Sequence, residues 1–304
     1  MAASLILAVP EMVTALYLVP SMSEVADPEA LLRGDTEAGA DDGPSLVEGF
    51  LERNLLSVTT RTALPGELPL DVLRVFGADD ADLATVESCP HLVVVEAAFG
   101  PGWPPMHEVV ARTAAAALAR ATDGLVIDAA TPRLLTADEL VAPLPDGHHG
   151  LVLTGFVLVP QSSEEDGRHW MVTKGLARFG LPEIRVLDVP APLAPAWTAV
   201  LSGLAWSLLF RFDAALRAGR IDGVDELPSP VELSEVVEVD TGDIAAAHGN
   251  DPEGDEGRLA IQVELASLVG GDGHEHLTVQ APEGVSPHDY YAWVVDAVFG
   301  APSG

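Results

Sequence analysis

The pattern of apolar and polar positions in the first half of the chain predicts strands that alternate with helices. Short apolar or β-branched runs are typical of strands, and apolar residues spaced by three or four are typical of helices. We predict strands at residues 4–9, 14–19, 57–62, 91–98 and 125–128. We predict helices at residues 45–54, 78–88 and 104–121. This order of elements, β-α-β-β-α-β, is that of a ferredoxin-like unit.

The second half of the chain carries a similar mixture of apolar runs. We predict strands at residues 150–159, 168–174, 184–189, 231–239, 259–268 and 276–280, and an exposed turn at residues 161–167. We predict long helices at residues 193–218 and 287–299. We therefore expect an α+β protein of two α/β sandwich units, mainly with antiparallel sheets. The predicted units are residues 1–143 and residues 144–304, the latter with an acidic insertion at 221–257.

The charge of the chain restricts its partners. The 304 residues include 47 acidic and 15 basic side chains, which gives a net charge of −32. A surface so negative repels phosphate backbones and anionic lipids, so we expect neither a nucleic-acid partner nor a membrane partner. With 48% hydrophobic residues and a mean hydropathy of +0.26, the composition excludes a disordered chain.

The first 20 residues are apolar but differ from a secretion signal. No basic residue precedes Arg33, and Pro10 and Glu11 interrupt the apolar run. We therefore expect a cytoplasmic protein. Cys89 is the one cysteine, which excludes a disulfide within the chain and a metal site built from several cysteines.

The common catalytic motifs are missing from the sequence. It contains no G-x-S-x-G elbow, no G-x-x-x-x-G-K-[ST] loop and no G-x-G-x-x-G loop. His107 and Glu108 begin an H-E-x-x-H pattern, but Ala111 stands where the second histidine is needed. We predict no catalytic residue and no cofactor.

One segment has the residue types of a ligand-binding loop. We predict ligand contacts from His169, Lys174, Arg178 and Glu183. On a regular strand, however, His169 faces away from the side shared by Trp170 and Lys174. The alternative is a structural turn, in which Gly175 and Gly180 permit positive φ or a close backbone approach, and Glu183 caps a helix or accepts backbone N–H groups.

The same segment, Thr173-Lys-Gly-Leu-Ala-Arg-Phe-Gly-Leu-Pro-Glu183, resembles a known signature. It is similar to the T/S-x-G-L-x-x-F-G-x-P-E pattern of an uncharacterised bacterial domain family of unknown function. The similarity covers about residues 85–215 and includes the strand that follows Cys89. Members are soluble α/β proteins, some of them encoded near immunity genes of polymorphic toxins. The resemblance implies a fold and a genetic neighbourhood, and it assigns no catalytic residue.

A second cluster has metal-ligand chemistry. Asp272, His274 and His276 lie close together in the sequence, and the two histidines would share one face of a strand. We predict a metal site from these three residues. The alternative is a polar hairpin turn, where such residues are common in any case.

Three functional hypotheses follow from these patterns. The first is a non-enzymatic interaction module, of immunity or assembly type, whose acidic segment binds a protein with a basic surface. Its predicted contacts are Asp222, Asp225, Glu226, Glu232, Glu235, Glu238, Asp240 and Asp243. The second is a small-molecule-binding protein or an enzyme that uses residues 168–183. The third is a structural subunit of a homo-oligomer.

Overall fold

The chain forms two compact units. A computed structural model describes residues 4–36, 46–64, 66–145, 150–163, 167–219, 230–250, 261–269 and 275–300. Residues 12–144 form one unit, and residues 1–11 together with 145–304 form the other. Residues 1–11, which we predicted as part of the first unit, belong to the second because strand β1 (Ser4–Leu7) pairs with a strand of that unit.

Residues 12–144 contain a five-stranded sheet and helices. The strands are β2 (Val13–Ser21), β3 (Leu56–Thr62), β4 (His91–Phe99), β5 (Val126–Asp128) and β6 (Arg133–Leu135). The helices are α1 (Pro28–Thr36), α2 (Leu46–Glu52), α3 (Leu70–Val75), α4 (Asp80–Ser88), α5 (Met106–Thr122) and α6 (Ala137–Val141).

The order of these strands confirms the predicted ferredoxin-like topology. The sheet order is β3-β4-β2-β5-β6, and every neighbouring pair is antiparallel. Helices α1 and α2 connect β2 to β3, and α5 connects β4 to β5, which gives the split β-α-β arrangement. The additions are β6 at the edge and the helix pair α3–α4 between β3 and β4. We call this unit the ferredoxin-like unit.

The sheet of the ferredoxin-like unit is packed on both faces. Successive residues of β2 point to opposite faces, so Tyr17 and Val19 join one core while Leu18 joins the other. The larger core lies against α1, α2, α5 and α6. Leu73 of α3 and Leu83 of α4 contribute to the smaller core on the opposite face.

In its described residues, the other unit contains a mixed sheet and the α-helices α7 to α9. Besides β1, its strands are β7 (Gln161–Ser163), β8 (Arg168–Val172), β9 (Glu183–Pro190), β10 (Val231–Ser234), β11 (Val236–Val239), β12 (Ile261–Val269) and β13 (Glu275–Gln280). Its helices are α7 (Ala194–Gly219), α8 (Thr241–Ala247) and α9 (Pro287–Phe299). The six-stranded sheet has the order β11-β12-β13-β9-β8-β7. Among the described strand pairs of this sheet, β13–β9 is parallel and the others are antiparallel, which confirms the prediction of mainly antiparallel sheets. We call this unit the mixed-sheet unit.

Helix α7 is the central helix of the mixed-sheet unit. It packs against β9, β10, β11 and α8. Trp197 is fully buried, and its indole Nε1 donates to the carbonyl of Tyr291 in α9 at 3.3 Å. Residues 191–219 are long and apolar enough to cross a membrane by length and composition, and 56% of their most apolar window is buried within the structure.

One predicted strand of the second half is wrong, and another is divided in two. Residues 150–159 form a short 3-10 turn at Leu153–Gly155, because Leu151, Leu153 and Phe156 are all buried and a short apolar run favours no single element. The predicted strand at 231–239 is divided at Glu235 into β10 and β11, which belong to different sheets. The predicted exposed turn at 161–167 contains β7.

Candidate functional site

The segment that resembles the family signature forms a loop fixed by Glu183. The Glu183 carboxylate accepts from Thr173 Oγ1 at 2.7 Å, from the N–H of Gly175 at 2.8 Å and from the N–H of Ala177 at 3.4 Å. Gly175 has φ of 121°, which confirms the prediction that this glycine needs positive φ. The loop therefore has the predicted structural role. It holds Lys174 between Thr173 and Gly175, which are both hydrogen-bonded to Glu183.

This loop borders a cleft on one face of the mixed sheet. The cleft has a volume of about 620 Å³ and spans β8, β9 and the start of β13. Its apolar lining is Trp170, Val172, Ala177, Leu181, Pro182 and Leu187. Its polar lining is Thr173, Lys174, Glu183, Arg185, Glu275 and His276.

Strand alternation explains how these side chains come together. Along β9, Ile184 and Val186 are fully buried, while Glu183, Arg185 and Leu187 line the cleft. Positions two apart share a face, so one face of β9 packs into the core and the other remains open. The sequence prediction that Trp170 and Lys174 share a face is consistent with this geometry, since both line the cleft.

Two cationic side chains of the cleft retain unused hydrogen-bond donors. Arg185 uses its Nε to donate to Thr278 Oγ1 at 2.8 Å. Within the described part of the chain, neither Arg185 nor Lys174 forms an ion pair. The Glu183 oxygens, in contrast, already accept three hydrogen bonds from the loop. The hydrogen-bonding groups that remain available on Lys174 and Arg185 are therefore N–H donors.

Two of the four predicted ligand residues lie outside the cleft. His169 lies on β8 with its Nδ1 at 3.2 Å from Ser163 Oγ, and it does not line the cleft. Arg178 is 3% exposed, and its Cζ lies 5.9 Å from the ring centre of Phe156. The structure thus brings Lys174 and Glu183 together and places the other two elsewhere. Sequence reasoning missed Arg185 and Leu187, although their spacing from Glu183 on a predicted strand was the available signal.

The predicted metal cluster is only partly described. Asp272 and His274 lie outside the described residues, and His276 lines the cleft beside β9. In the described ranges, no group of three or more His, Cys, Asp and Glu side chains is placed to hold a metal ion.

The predicted acidic contact surface is also partly described. Asp222, Asp225 and Glu226 lie outside the described residues. Glu232 and Glu238 are exposed, and Glu235 is half-buried. Asp240 and Asp243 form the capping box of α8, in which each side chain accepts from the other residue's N–H, at 2.9 and 3.0 Å. Those two carboxylates therefore stabilise a helix terminus.

Comparisons of this chain with protein-family models, with curated proteins and with solved structures give no match. The resemblance of residues 173–183 to a family signature accordingly stays a prediction. The geometry of the cleft is then the main basis for a functional assignment.

The ferredoxin-like unit contains a buried polar network that sequence reasoning missed. Arg112 of α5 is fully buried; its Nε donates to Tyr17 Oη at 2.8 Å, and its Nη1 donates to the carbonyl of Leu140 at 3.1 Å. Tyr17 Oη donates in turn to Glu108 Oε2 at 2.6 Å, and Asp128 Oδ2 lies 3.6 Å from Arg112 Nη2. The i, i+4 spacing of Glu108 and Arg112 in an alanine-rich helix was the available signal.

Cys89 does not have the setting of a nucleophile. Its side chain is buried, and burial raises the pKa of the thiol. Its Sγ donates to the carbonyl of Thr85 at 3.4 Å. A reactive cysteine needs the opposite shift, so Cys89 fits a structural role.

Proposed function

We propose that this chain is a small-molecule-binding protein whose binding site is the cleft of the mixed-sheet unit. The observation that supports the proposal is the combination of Trp170, Leu187, Lys174 and Arg185 on one concave sheet face. Small-molecule sites are mostly apolar, with a few polar groups that orient the ligand.

The size of the cleft supports a small ligand. Its volume of about 620 Å³ lies within the range of roughly 300–1,000 Å³ typical of small-molecule sites. Trp170 is 42% exposed and Leu187 is 40% exposed. Exposed apolar side chains at the edge of a concave surface gain free energy when a ligand covers them.

The acidic segment gives less support for the other hypothesis. Of its five described acidic residues, Asp240 and Asp243 already stabilise α8. We therefore base the proposed function on the cleft, and binding of a basic protein partner by residues 221–257 remains a separate prediction. That prediction requires partner binding that weakens as salt is added.

Ligand-observed NMR with a library of small fragments tests the proposed function. The test variant is Trp170→Ala, and the matched control is Trp293→Ala, because Trp293 on α9 is 53% exposed but does not line the cleft. We expect a set of fragments that bind the wild-type protein and the control but lose their signal with Trp170→Ala. Fragments that bind both variants equally, or a library with no hits, would contradict the proposal.

A further inference from the structure

The donor-rich cleft indicates which class of molecule it binds. We infer that the ligand is a small carboxylate that carries an aromatic ring, with the carboxylate bound by Lys174 and Arg185 and the ring packed against Trp170. This inference rests on the proposed function and specifies its ligand.

The donors of Lys174 and Arg185 indicate the charge of the ligand group that they bind. The Lys174 ammonium carries three N–H donors, and the terminal nitrogens of Arg185 carry four more. The carboxylate of Glu183 is already occupied by the hydroxyl of Thr173 and two backbone N–H groups. Glu275 and His276 also line the cleft, on β13. The ligand group that binds Lys174 and Arg185 must supply acceptors, and an anionic acceptor forms the stronger charge-assisted bonds.

The net charge of the chain favours a carboxylate over a phosphate. The chain carries a net charge of −32, whose field opposes every anion that approaches. A phosphate monoester carries nearly twice the charge of a carboxylate at neutral pH and is repelled more strongly. A single carboxylate keeps the contacts to Lys174 and Arg185 at a smaller electrostatic cost.

The apolar part of the cleft accounts for the ring. Trp170 and Val172 lie on β8, and Leu187 lies on the neighbouring strand β9. A tryptophan side chain offers a flat surface on which an aromatic ring packs in an offset or edge-on arrangement. The ligand thus places its ring over β8 and β9 and its carboxylate toward Lys174.

Calorimetric titration with three probes that share one ring tests the inference. The probes are indole-3-acetate, its neutral counterpart indole-3-acetamide and the cation tryptamine. We expect the wild-type protein to bind the carboxylate about tenfold more tightly than the amide, the range of one charge-assisted contact. We expect the tryptamine signal to be the weakest, and the preference for the carboxylate to shrink as salt is added.

The test of Lys174 compares a variant of this cleft cation with a variant of a cation outside the cleft. Lys174→Gln should weaken indole-3-acetate binding about tenfold and leave indole-3-acetamide binding nearly unchanged. The control is Arg168→Gln, since Arg168 is an exposed cation on β8, its Nη1 lies 3.6 Å from Asp188 Oδ1, and it does not line the cleft. That control should leave both affinities unchanged.

The outcomes separate this inference from the proposed function. Equal or tighter binding of the amide or the amine would overturn the inference and leave the proposed function standing. Failure of all three probes, while fragments still bind in a Trp170-dependent manner, would also overturn the inference alone. Failure of all probes and all fragments would overturn both.

Discussion

The two units of this protein place their charged side chains in contrasting ways. In the ferredoxin-like unit, Arg112 is fully buried, and its contacts include Tyr17, Asp128 and a backbone carbonyl. In the mixed-sheet unit, Lys174 and Arg185 lie on an open sheet face and retain donors. A cluster whose donors are used holds a fold together, whereas a cluster with spare donors on a concave surface is suited to a ligand.

Removal of the buried Arg112 guanidinium should have the largest effect on stability. Arg112→Met should lower the free energy of unfolding by about 3–5 kcal/mol, because buried Glu108 and Asp128 would both lose the guanidinium that lies 3.6 Å from each, while Arg133 stays 3.7 Å from Asp128. Urea unfolding measures the change. Alkylation of the single buried thiol, Cys89, provides a local measurement, since it should speed up as the ferredoxin-like unit opens more often.

The control for that variant is Arg120→Met in the same helix. Arg120 forms an ion pair with Asp138 at 2.9 Å, but its side chain is 52% exposed. Exposed pairs contribute about 0–1 kcal/mol. If Arg112→Met and Arg120→Met had similar effects, the buried network would not have the structural role assigned to it.

Close apolar packing is the expected source of stability where α7 approaches α8 and β11. A Cβ at Gly203 of α7 would lie 2.8 Å from Ile244 Cγ1 and 3.0 Å from Val239 Cγ2. Gly203→Ala should therefore destabilise the protein by about 1–3 kcal/mol in urea unfolding.

The matched control is Gly49→Ala, since a Cβ at this position in α2 has no neighbour within 4 Å. This change should stabilise the protein by about 0.5–1 kcal/mol, because alanine restricts the unfolded chain more than glycine does. If Gly203→Ala and Gly49→Ala changed the free energy of unfolding equally, the close packing of α7 against α8 and β11 would not require glycine at residue 203.

A substitution in the loop that contains Lys174 should have a smaller effect on stability and should also change ligand binding in the cleft. Glu183→Gln should cost about 1 kcal/mol of stability, because an amide replaces a carboxylate that accepts from Thr173 and Gly175. It should also weaken indole-3-acetate binding severalfold, because Glu183 is a positioning residue for Lys174. If calorimetry showed that folded Glu183→Gln binds indole-3-acetate with wild-type affinity, that result would contradict this role.

The smallest effect concerns an exposed pair in the ferredoxin-like unit. A hydrogen bond and ion pair with Arg61 lowers the pKa of Glu67 to about 2, and the N–H of Leu64 contributes. A lowered pKa stabilises the fold above the ordinary value of 4.5, and this contribution is lost as the pH falls toward about 2.

Arg61→Ala should raise the pKa of Glu67 toward its ordinary value, so that acid removes this contribution at a higher pH. A carboxyl-detected NMR titration measures the shift. Arg33→Ala is the control, since Arg33 pairs with Glu29 and should leave the pKa of Glu67 unchanged. An unmoved Glu67 titration in Arg61→Ala would contradict the assigned cause.

Much of the fold could be predicted from local patterns. The alanine-rich run at residues 104–121 predicted α5, which the structure places at Met106–Thr122. The strand β10 at residues 231–234 could not be assigned to its sheet, because its pairing with β1 joins residues more than 200 positions apart. Sequence patterns report local preference, and long-range pairing depends on packing.

The candidate site was predictable only in part for the same reason. Lys174 and Glu183 were identified because they lie within one short motif. Arg185 and His276 come together through the parallel pairing of β9 with β13, which no local pattern indicated. The buried position of Arg178 was missed because its aromatic partner, Phe156, lies in a turn that we had predicted as a strand.

The single lysine of the chain allows the most direct test of the central claim. Reductive methylation with ¹³C-formaldehyde keeps the charge of Lys174 and labels its amine, and the N-terminal amine is the only other amine labelled. We predict that indole-3-acetate shifts the Lys174 methyl signal in a saturable way and that Trp170→Ala reduces this response. A ligand that binds by calorimetry but leaves the Lys174 signal unchanged would contradict the assignment of the cleft as the binding site.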